Sequence, residues 1–150
     1  MVTFQKEDFL PFFDEAPALF QEHYEEVAER IDVIKLEPDL NRYKGLFDQG
    51  MLEIHTARED GKLIGYSLWL VASGLHYKNC LTASSDIIYI SPAYRKGMFG
   101  VRFIRWTVEE IKKRNLQRIL FHVKPHVDFG PILERLGAHF LEKTYSIVLE

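Results

Sequence analysis

Residues 88–100 read IYISPAYRKGMFG, and this stretch decides how the rest of the chain is interpreted. An apolar run ends at Ser91-Pro92, a basic turn with two glycines follows, and a helical pattern begins after the second glycine. A helix that opens directly after a strand has unpaired N–H groups and a positive dipole end in its first turn. Arg95 and Lys96 add positive charge, so the stretch predicts a phosphate-binding turn. An ordinary glycine turn with two solvated cations is the alternative.

Upstream of this turn, the apolar period changes from helical to extended. Residues 11–30 carry an apolar stripe at helical spacing, and a shorter helix is predicted from Pro38 or Asp39 to Gln49, closed by Gly50. Three segments with strand character follow, at 51–58, 63–73 and 81–90, the first two joined by a hairpin turn at Asp60-Gly61. These patterns predict two helices and then an antiparallel three-strand meander.

Downstream of the turn, the pattern is helix, strand, helix and strand. A buried stripe follows Gly100 up to a stop at Asn115, a strand is predicted at 118–123, and a short helix at 131–136. The tail from Ala138 alternates through Tyr145, Ile147 and Leu149, which indicates a terminal strand. Because a strand–helix–strand crossover joins parallel strands, we predict an α/β (α+β) fold. Its mixed, mostly antiparallel sheet has a central parallel pair and helices on both faces.

Composition sets outer limits on function. The 150 residues are 47% hydrophobic and 27% charged, which is typical of one globular domain spanning 1–150. The net charge of −3 argues against a dedicated nucleic-acid binder. A single cysteine, Cys80, cannot form an intramolecular disulfide. No signal peptide or membrane span is evident, so we expect a cytoplasmic protein without a membrane partner.

The order of these elements resembles that of the GNAT superfamily of N-acetyltransferases. Residues 88–95 look like the family's fourth strand and pyrophosphate loop, and residues 126–138 look like its segment N-x-x-A-x-x-L-Y-E-K-L-G-F. In the family, the loop arginine is usually the first residue of the pattern R/Q-x-x-G-x-G/A, so that glycines follow it at fixed positions. Here Arg95 and Gly100 match, whereas Met98 stands at the first glycine position and Gly97 comes one residue earlier.

The resemblance implies acetyl-CoA as acyl donor and direct transfer of its acetyl group to the primary amine of a small molecule or protein. The pantetheine arm of the donor would lie between two diverging parallel strands and bond the backbone of the fourth strand. The pyrophosphate would be held by the amides of the loop. The implied donor-binding residues are Tyr89, Ile90, Ser91, Arg95, Lys96, Gly97, Met98, Phe99 and Gly100.

Direct transfer needs a neutral amine and a proton for the leaving thiolate. Aligned on Pro92, Asp86 stands where many family members carry a glutamate, and it is our candidate general base. Its alternative role is that of an acidic residue on a solvent-facing strand position, or of one that only binds the charge of the acceptor. The tyrosine that usually acts as general acid in the family corresponds to Leu133, which cannot donate a proton. The remaining candidate acids are His126, Tyr145, Tyr89 or water, and all three side chains also suit structural roles.

Other interpretations are kept beside this one. Three histidines, at 76, 122 and 126, lack the spacing of a metal-ligand motif, so we expect no metal. A non-catalytic acyl-CoA-binding or interaction module with the same fold is the alternative function. The tail is short for the family's final hairpin, and strand exchange through it would suit a homodimer.

Overall fold

The computed structural model describes residues 1–149, and in this part of the chain it contains one five-stranded sheet and four α-helices. The strands are β1 (Val2–Lys6), β2 (Leu52–Glu59), β3 (Lys62–Gly74), β4 (Tyr77–Ile90) and β5 (Arg118–Leu120). The helices are α1 (Phe9–Val27), α2 (Leu40–Asp48), α3 (Phe99–Lys112) and α4 (Gly130–Arg135). The sheet runs in the order β1-β2-β3-β4-β5, with every pair antiparallel except β4 and β5. The predicted mixed sheet with a parallel pair is confirmed.

Local signals in the sequence set several of these boundaries. Asp60 and Gly61 both have positive φ, +49° and +86°, which is the backbone of the tight turn that joins β2 to β3. At the start of α2, the Asp39 carboxylate accepts the Arg42 N–H at 2.9 Å and caps the helix. Gly50, with φ +71°, follows its end.

Helices cover both faces of the sheet, as predicted. On one face, α1 packs the rings of Phe12 and Phe20 against Tyr66 of β3, with centroid distances of 5.6 and 5.3 Å. Side chains alternate along a strand, so Trp69 lies on the opposite face, where it packs in the same cluster as Ile111 of α3. The sheet is thus the middle layer between α1 and α2 on one side and α3 on the other.

Strand β1 is an element that the sequence analysis missed. It pairs antiparallel with β2, with Phe4 opposite Ala57. The Phe4 ring lies 5.3 Å from Phe103 and 5.7 Å from Phe99 of α3, so the strand also covers part of the core. Five residues at the end of a chain are too short for periodicity to separate a strand from a loop.

The predicted terminal strand is wrong for the chain as described. Residues 138–149 form no strand, and the predicted strand at 118–123 is shortened to Arg118–Leu120. Alternation produces a strand only where a second backbone pairs with it, and among residues 1–149 none pairs with this tail. Tyr145 and Ile147 are consequently 86% and 87% exposed.

Candidate functional site

The parallel strands β4 and β5 separate in the middle of β4. Their ladder joins Thr82, Ala83 and Ser84 to the three residues of β5, and β4 then continues alone on that side to Ile90. At the point of separation the hydroxyl of Ser85, a buried residue, accepts the backbone N–H of His122 at 2.8 Å. An opening between the two strands therefore begins at this hydrogen bond.

A β-bulge lies at the same point. Ile87 pairs with Leu68 and Ser85 pairs with Trp69, so Asp86 is the extra residue on β4. Its side chain is exposed and accepts a hydrogen bond from the Tyr43 hydroxyl of α2. Burial and the Asp86 carboxylate together raise the pKa of the Tyr43 phenol, which stays protonated and keeps donating.

Beyond the bulge, β4 offers backbone groups to the opening. The Ser91 N–H donates to the Ile64 carbonyl of β3 at 2.9 Å. Since peptide groups alternate in direction along a strand, those of Ile88 and Ile90 face away from β3 and toward the opening. The Ile90 carbonyl accepts the Arg95 Nε–H at 2.7 Å. Two peptide groups of β4 thus line the region where the strands diverge.

The loop after β4 ends in an uncapped helix N-terminus. A short 3₁₀ turn covers Pro92–Tyr94, and the first hydrogen bond of α3 runs from the Arg102 N–H to the Met98 carbonyl at 2.9 Å. Within residues 1–149, no protein acceptor bonds the N–H groups of residues 99–101, and Met98 supplies no side-chain cap. These N–H groups are the donors that suit an anion.

The glycines of this loop explain how it departs from the family pattern. Gly97 has φ +65°, a left-handed conformation that favours glycine. Met98 has φ −95° and needs no glycine. A Cβ added to Gly100 would lie 3.7 Å from Ile90 Cδ1, an ordinary contact. The sharp turn is therefore made one residue earlier than in the family pattern.

The side chain of Arg95 is exposed and pairs with helix α1. Its guanidinium forms two hydrogen bonds with the Glu26 carboxylate, at 2.7 and 2.6 Å, and lies 5.3 Å from the centre of the Tyr89 ring. Lys96 is exposed and adds positive charge beside the loop. The Arg95–Glu26 pair joins the end of α1 to the turn that follows β4.

A polar network continues along α1 from this pair. The Tyr89 hydroxyl donates to Glu22 at 2.9 Å, and burial with this bond raises the pKa of Tyr89 to about 12. His23 stacks on the Tyr89 ring at 4.9 Å, and its Nδ1 lies 3.1 Å from the Tyr66 hydroxyl. Burial lowers the pKa of His23 to about 4, so its imidazole is neutral at pH 7.

The sequence analysis missed Tyr43 and the three α1 residues of this network, Glu22, His23 and Glu26. All four lie more than forty positions before their partners on β4 and the loop. Only the packing of α1 and α2 on the sheet brings them there. The one feature of the sequence that could have pointed to these residues was the presence of acidic and aromatic side chains on the sheet-facing side of a helix.

Two of the predicted acids, His126 and Tyr145, lie apart from this site, whereas the Tyr89 hydroxyl donates to Glu22. Leu133, at the family's tyrosine position, is 6% exposed in α4. His126 is exposed in a 3₁₀ turn, and Tyr145 is exposed in the tail. Within residues 1–149, no hydrogen bond joins either one to Asp86 or to the loop. The same residues contain no cluster of three or more side chains suited to a metal ion, nor a helix long and apolar enough to cross a membrane.

Solved structures of the same architecture include several acetyltransferases. A predicted acetyltransferase from Clostridium acetobutylicum, crystallised with acetyl-CoA, is 16% identical with a TM-score of 0.72, covering 99% of this chain and 96% of that one. The ribosomal-protein-alanine N-acetyltransferase of Brucella melitensis is 17% identical with a TM-score of 0.72, covering 100% of both chains. An aminoglycoside acetyltransferase from an uncultured soil metagenomic sample is 15% identical with a TM-score of 0.74, covering 99% and 97%.

Sequence comparison gives no corresponding result: no protein-family model and no curated protein matches the chain. The likeness therefore rests on three-dimensional structure over essentially the whole chain, at identities of 15 to 17% for these three structures. At such identity it establishes architecture, and activity has to be argued from the site. The chain has the fold of the GNAT acetyltransferases.

Proposed function

We propose that this chain is an acetyl-CoA-dependent N-acetyltransferase that moves an acetyl group directly to a primary amine. One observation carries the proposal: the parallel strands separate at Ser85, beside a bulge that carries Asp86 and below an uncapped helix N-terminus. Backbone donors, an anion-binding turn and a carboxylate thus border a single opening. An acyl-CoA thioester has matching parts, namely an amide-containing arm, a pyrophosphate and a reactive carbonyl.

The donor is bound chiefly by backbone groups. In our assignment the Ile88 peptide and the Ile90 N–H bond the amides of an extended arm, as a neighbouring strand would, since the Ile90 carbonyl already accepts the Arg95 Nε–H. The N–H groups of residues 99–101 and the exposed Lys96 are placed for the pyrophosphate. Tyr89 and Ser91, which the sequence analysis groups with the donor-binding residues, are not assigned to donor binding here. Tyr89 packs against α1, and the Ser91 N–H is already bonded to β3.

Asp86 is assigned as the general base. An ammonium must lose a proton before its nitrogen can attack the thioester carbonyl, and the exposed Asp86 carboxylate would accept that proton directly or through one water. The C–N bond then forms, the C–S bond breaks, the nitrogen releases its second proton to solvent, and the thiolate takes a proton. With Leu133 buried and apolar, water supplies this last proton in our scheme. Tyr43 is a positioning residue, since its hydroxyl holds the carboxylate.

The charges around the opening favour a cationic acceptor. Asp86 stands at the bulge, and Glu22 lies on the α1 side of β4, where its carboxylate accepts the Tyr89 hydroxyl. The Asp86 carboxylate attracts an ammonium and repels an anionic acceptor, and Glu22 on α1 adds negative charge on the helix side of β4. Structures with this fold include a ribosomal-protein-alanine N-acetyltransferase and an aminoglycoside acetyltransferase. The fold itself therefore does not determine the acceptor.

Calorimetric titration with acetyl-CoA tests the donor site. We expect micromolar binding by the wild-type protein and a loss of at least tenfold in Gly100→Glu, which adds a carboxylate at the anion-binding turn. Lys96→Glu is expected to weaken binding less. Lys112→Glu, at the opposite end of α3, makes the same charge change as Lys96→Glu and serves as its control. Folded wild-type protein that fails to bind acetyl-CoA would overturn the proposal.

Turnover separates an enzyme from the second candidate function, an acyl-CoA-binding module without catalysis. The buried, apolar Leu133 at the family's acid position favours that alternative. Release of free CoA thiol, followed against a panel of polyamines, amino sugars and lysine- or alanine-terminated peptides, distinguishes the two. Tight binding with no release above solvent hydrolysis for any amine would support the binding module.

A further inference from the structure

A cavity of about 340 Å³ lies where β1 leaves the edge of β2. β1 ends at Lys6, opposite His55, whereas β2 begins at Leu52. β3 lies between this gap and β4, so the cavity is separate from the opening beside β5. Its volume is that of a small-molecule site, and the proposed acetyl transfer does not use it. The cavity is lined by residues 6–8, Phe47, Gly50, residues 52–54 and Arg114.

One wall of the cavity holds a buried carboxylate with more positive than negative charge around it. The side chain of Glu53 is 4% exposed, and its oxygens lie 3.2 Å from Lys6 Nζ, 3.1 Å from Arg114 Nη1 and 2.7 Å from His55 Nε2. Although burial raises the pKa of Glu53, these contacts lower it to about 2, so the group is ionised at pH 7. Two cations beside one carboxylate leave a positive charge in excess. Both cations also have N–H donors to spare for a further anion.

The same cavity has a negative charge at Asp8. This residue stands at the N-cap of α1, where an aspartate usually accepts a backbone N–H of the first turn. Its exposed carboxylate makes no such bond, and it has no other partner within residues 1–149. The neighbouring Glu7 is already paired, since its carboxylate accepts the Arg58 Nη2–H at 3.0 Å. The cavity therefore has one carboxylate available for a cation, in addition to the excess positive charge beside Glu53.

Between these charges, the edge of β2 has peptide groups without a partner. The Glu7 N–H donates to the Ile54 carbonyl at 3.0 Å, and peptide groups alternate in direction along a strand. The Leu52 N–H and carbonyl therefore face the same edge, past the end of β1, and no group within residues 1–149 bonds them. The side chains of Phe47, Leu52 and Ile54 supply an apolar surface beside them. An unpaired strand edge next to an apolar surface suits the backbone and side chain of a peptide.

We propose that this cavity is a second ligand site, which binds a dipeptide-sized zwitterion with both of its termini free. The ligand carboxylate bonds Lys6 and Arg114 and balances the excess positive charge, and the ligand ammonium bonds Asp8. Its peptide group pairs with Leu52, and an apolar side chain packs on Phe47. A simple anion would leave Asp8 unpaired, a simple cation would be repelled by the excess positive charge, and a free amino acid has no peptide group for the strand edge.

Titration of ¹⁵N-labelled protein with glycyl-leucine, followed by NMR without acetyl-CoA, tests the site. We expect saturable shifts at the amides of residues 6–8 and 50–54, with a Kd of about 1 mM or tighter. N-acetyl-glycyl-leucine lacks the ammonium and glycyl-leucinamide lacks the carboxylate. Each should bind at least ~10-fold more weakly, because each leaves one charged group of the cavity unpaired. The same titration of Asp86→Asn should give the same Kd, since the cavity is separate from the proposed catalytic opening.

Variants of two exposed residues assign the two ends of the ligand. Asp8→Asn should reduce the preference for glycyl-leucine over its N-acetyl form to less than about twofold, and Lys6→Gln should reduce the preference over the amide by at least about threefold. Asp14→Asn and Lys62→Gln, also exposed, are the matched controls and should keep both preferences. The proposal is overturned by the absence of saturable cavity shifts at ~10 mM ligand, by equal binding of the blocked dipeptides, or by variants that keep the wild-type preferences. Shifts confined to the surroundings of Asp86 would overturn it too, and would leave the proposed acetyl transfer intact.

Discussion

The Tyr43 hydroxyl on α2 donates a hydrogen bond to the Asp86 carboxylate at the bulge of β4. The bond holds the side chain of Asp86, the extra residue of the bulge, whose direction would be different in a regular ladder. It also joins a helix of one layer to the strand that borders the opening. The pair therefore places a carboxylate next to the separation of β4 and β5, where an amine would meet a thioester.

Replacing the carboxylate tests Asp86 as the base. Asp86→Asn keeps the shape of the side chain and removes its proton affinity, so we expect kcat/KM for the amine to fall by about 10²- to 10⁴-fold. Acetyl-CoA affinity should be nearly unchanged. Asp48→Asn, on the exposed end of α2, is the matched control. Full CoA-release activity in Asp86→Asn would assign proton removal to another group.

Removing only the hydroxyl tests Tyr43 as a positioning residue. Tyr43→Phe leaves the ring in contact with Phe13, 5.2 Å away, and frees the Asp86 carboxylate to move. We expect kcat to fall about tenfold with KM for acetyl-CoA unchanged, because a misplaced base slows chemistry without affecting donor binding. Steady-state kinetics with both substrates varied separate these constants. A rise in the acetyl-CoA KM alone would show that Tyr43 supports the donor site instead.

The two loop positions that depart from the family pattern differ in what they tolerate. Gly97→Ala places a Cβ at φ +65° and should lower the free energy of unfolding by about 1 kcal/mol, and it should weaken acetyl-CoA binding through the altered turn. Met98→Ala, at negative φ and 60% exposed, should change neither. Urea unfolding and calorimetry measure both effects. Equal behaviour of the two variants would contradict a role for the turn geometry.

The sequence predicted what depends on neighbouring residues. The strand, turn and helix around residues 88–112 are encoded locally, and so is the Asp60-Gly61 hairpin. It did not predict the contacts of Arg95, because Glu26 lies 69 positions earlier and meets it only after α1 packs on the sheet. The terminal strand failed for a related reason. Alternation in residues 138–149 describes a preference for pairing, and no strand among residues 1–149 pairs with this segment.

Neutralising Glu26 tests how Arg95 is used. In the structure its carboxylate holds the guanidinium toward α1 and adds a negative charge beside the proposed pyrophosphate site. Glu26→Gln should therefore tighten acetyl-CoA binding by about two- to fivefold, more at low salt than at high salt. Calorimetry at two ionic strengths measures this, with Glu25→Gln, exposed on the same helix, as the control. Weaker binding would mean that Glu26 is needed to orient Arg95 for the donor.

His23 gives the fold a defined pH dependence. Burial beside Tyr89 lowers the pKa of its imidazole from 6.5 to about 4, so between these values the unfolded chain binds a proton that the folded chain does not. The contribution of His23 to stability is therefore complete above about pH 6.5 and is lost as the pH falls toward 4. From pH 7 to 4.5 this amounts to about 2 kcal/mol.

A glutamine at position 23 isolates this effect, because it can still bond the Tyr66 hydroxyl and does not titrate. Urea unfolding at pH 7 and 4.5 should show wild-type protein losing about 2 kcal/mol more than His23→Gln over this interval. Glu53, whose pKa the bonds from His55, Lys6 and Arg114 lower to about 2 despite its burial, affects both proteins equally and cancels. Parallel losses in the two proteins would mean that His23 is solvated and that α1 does not pack against β4 as described.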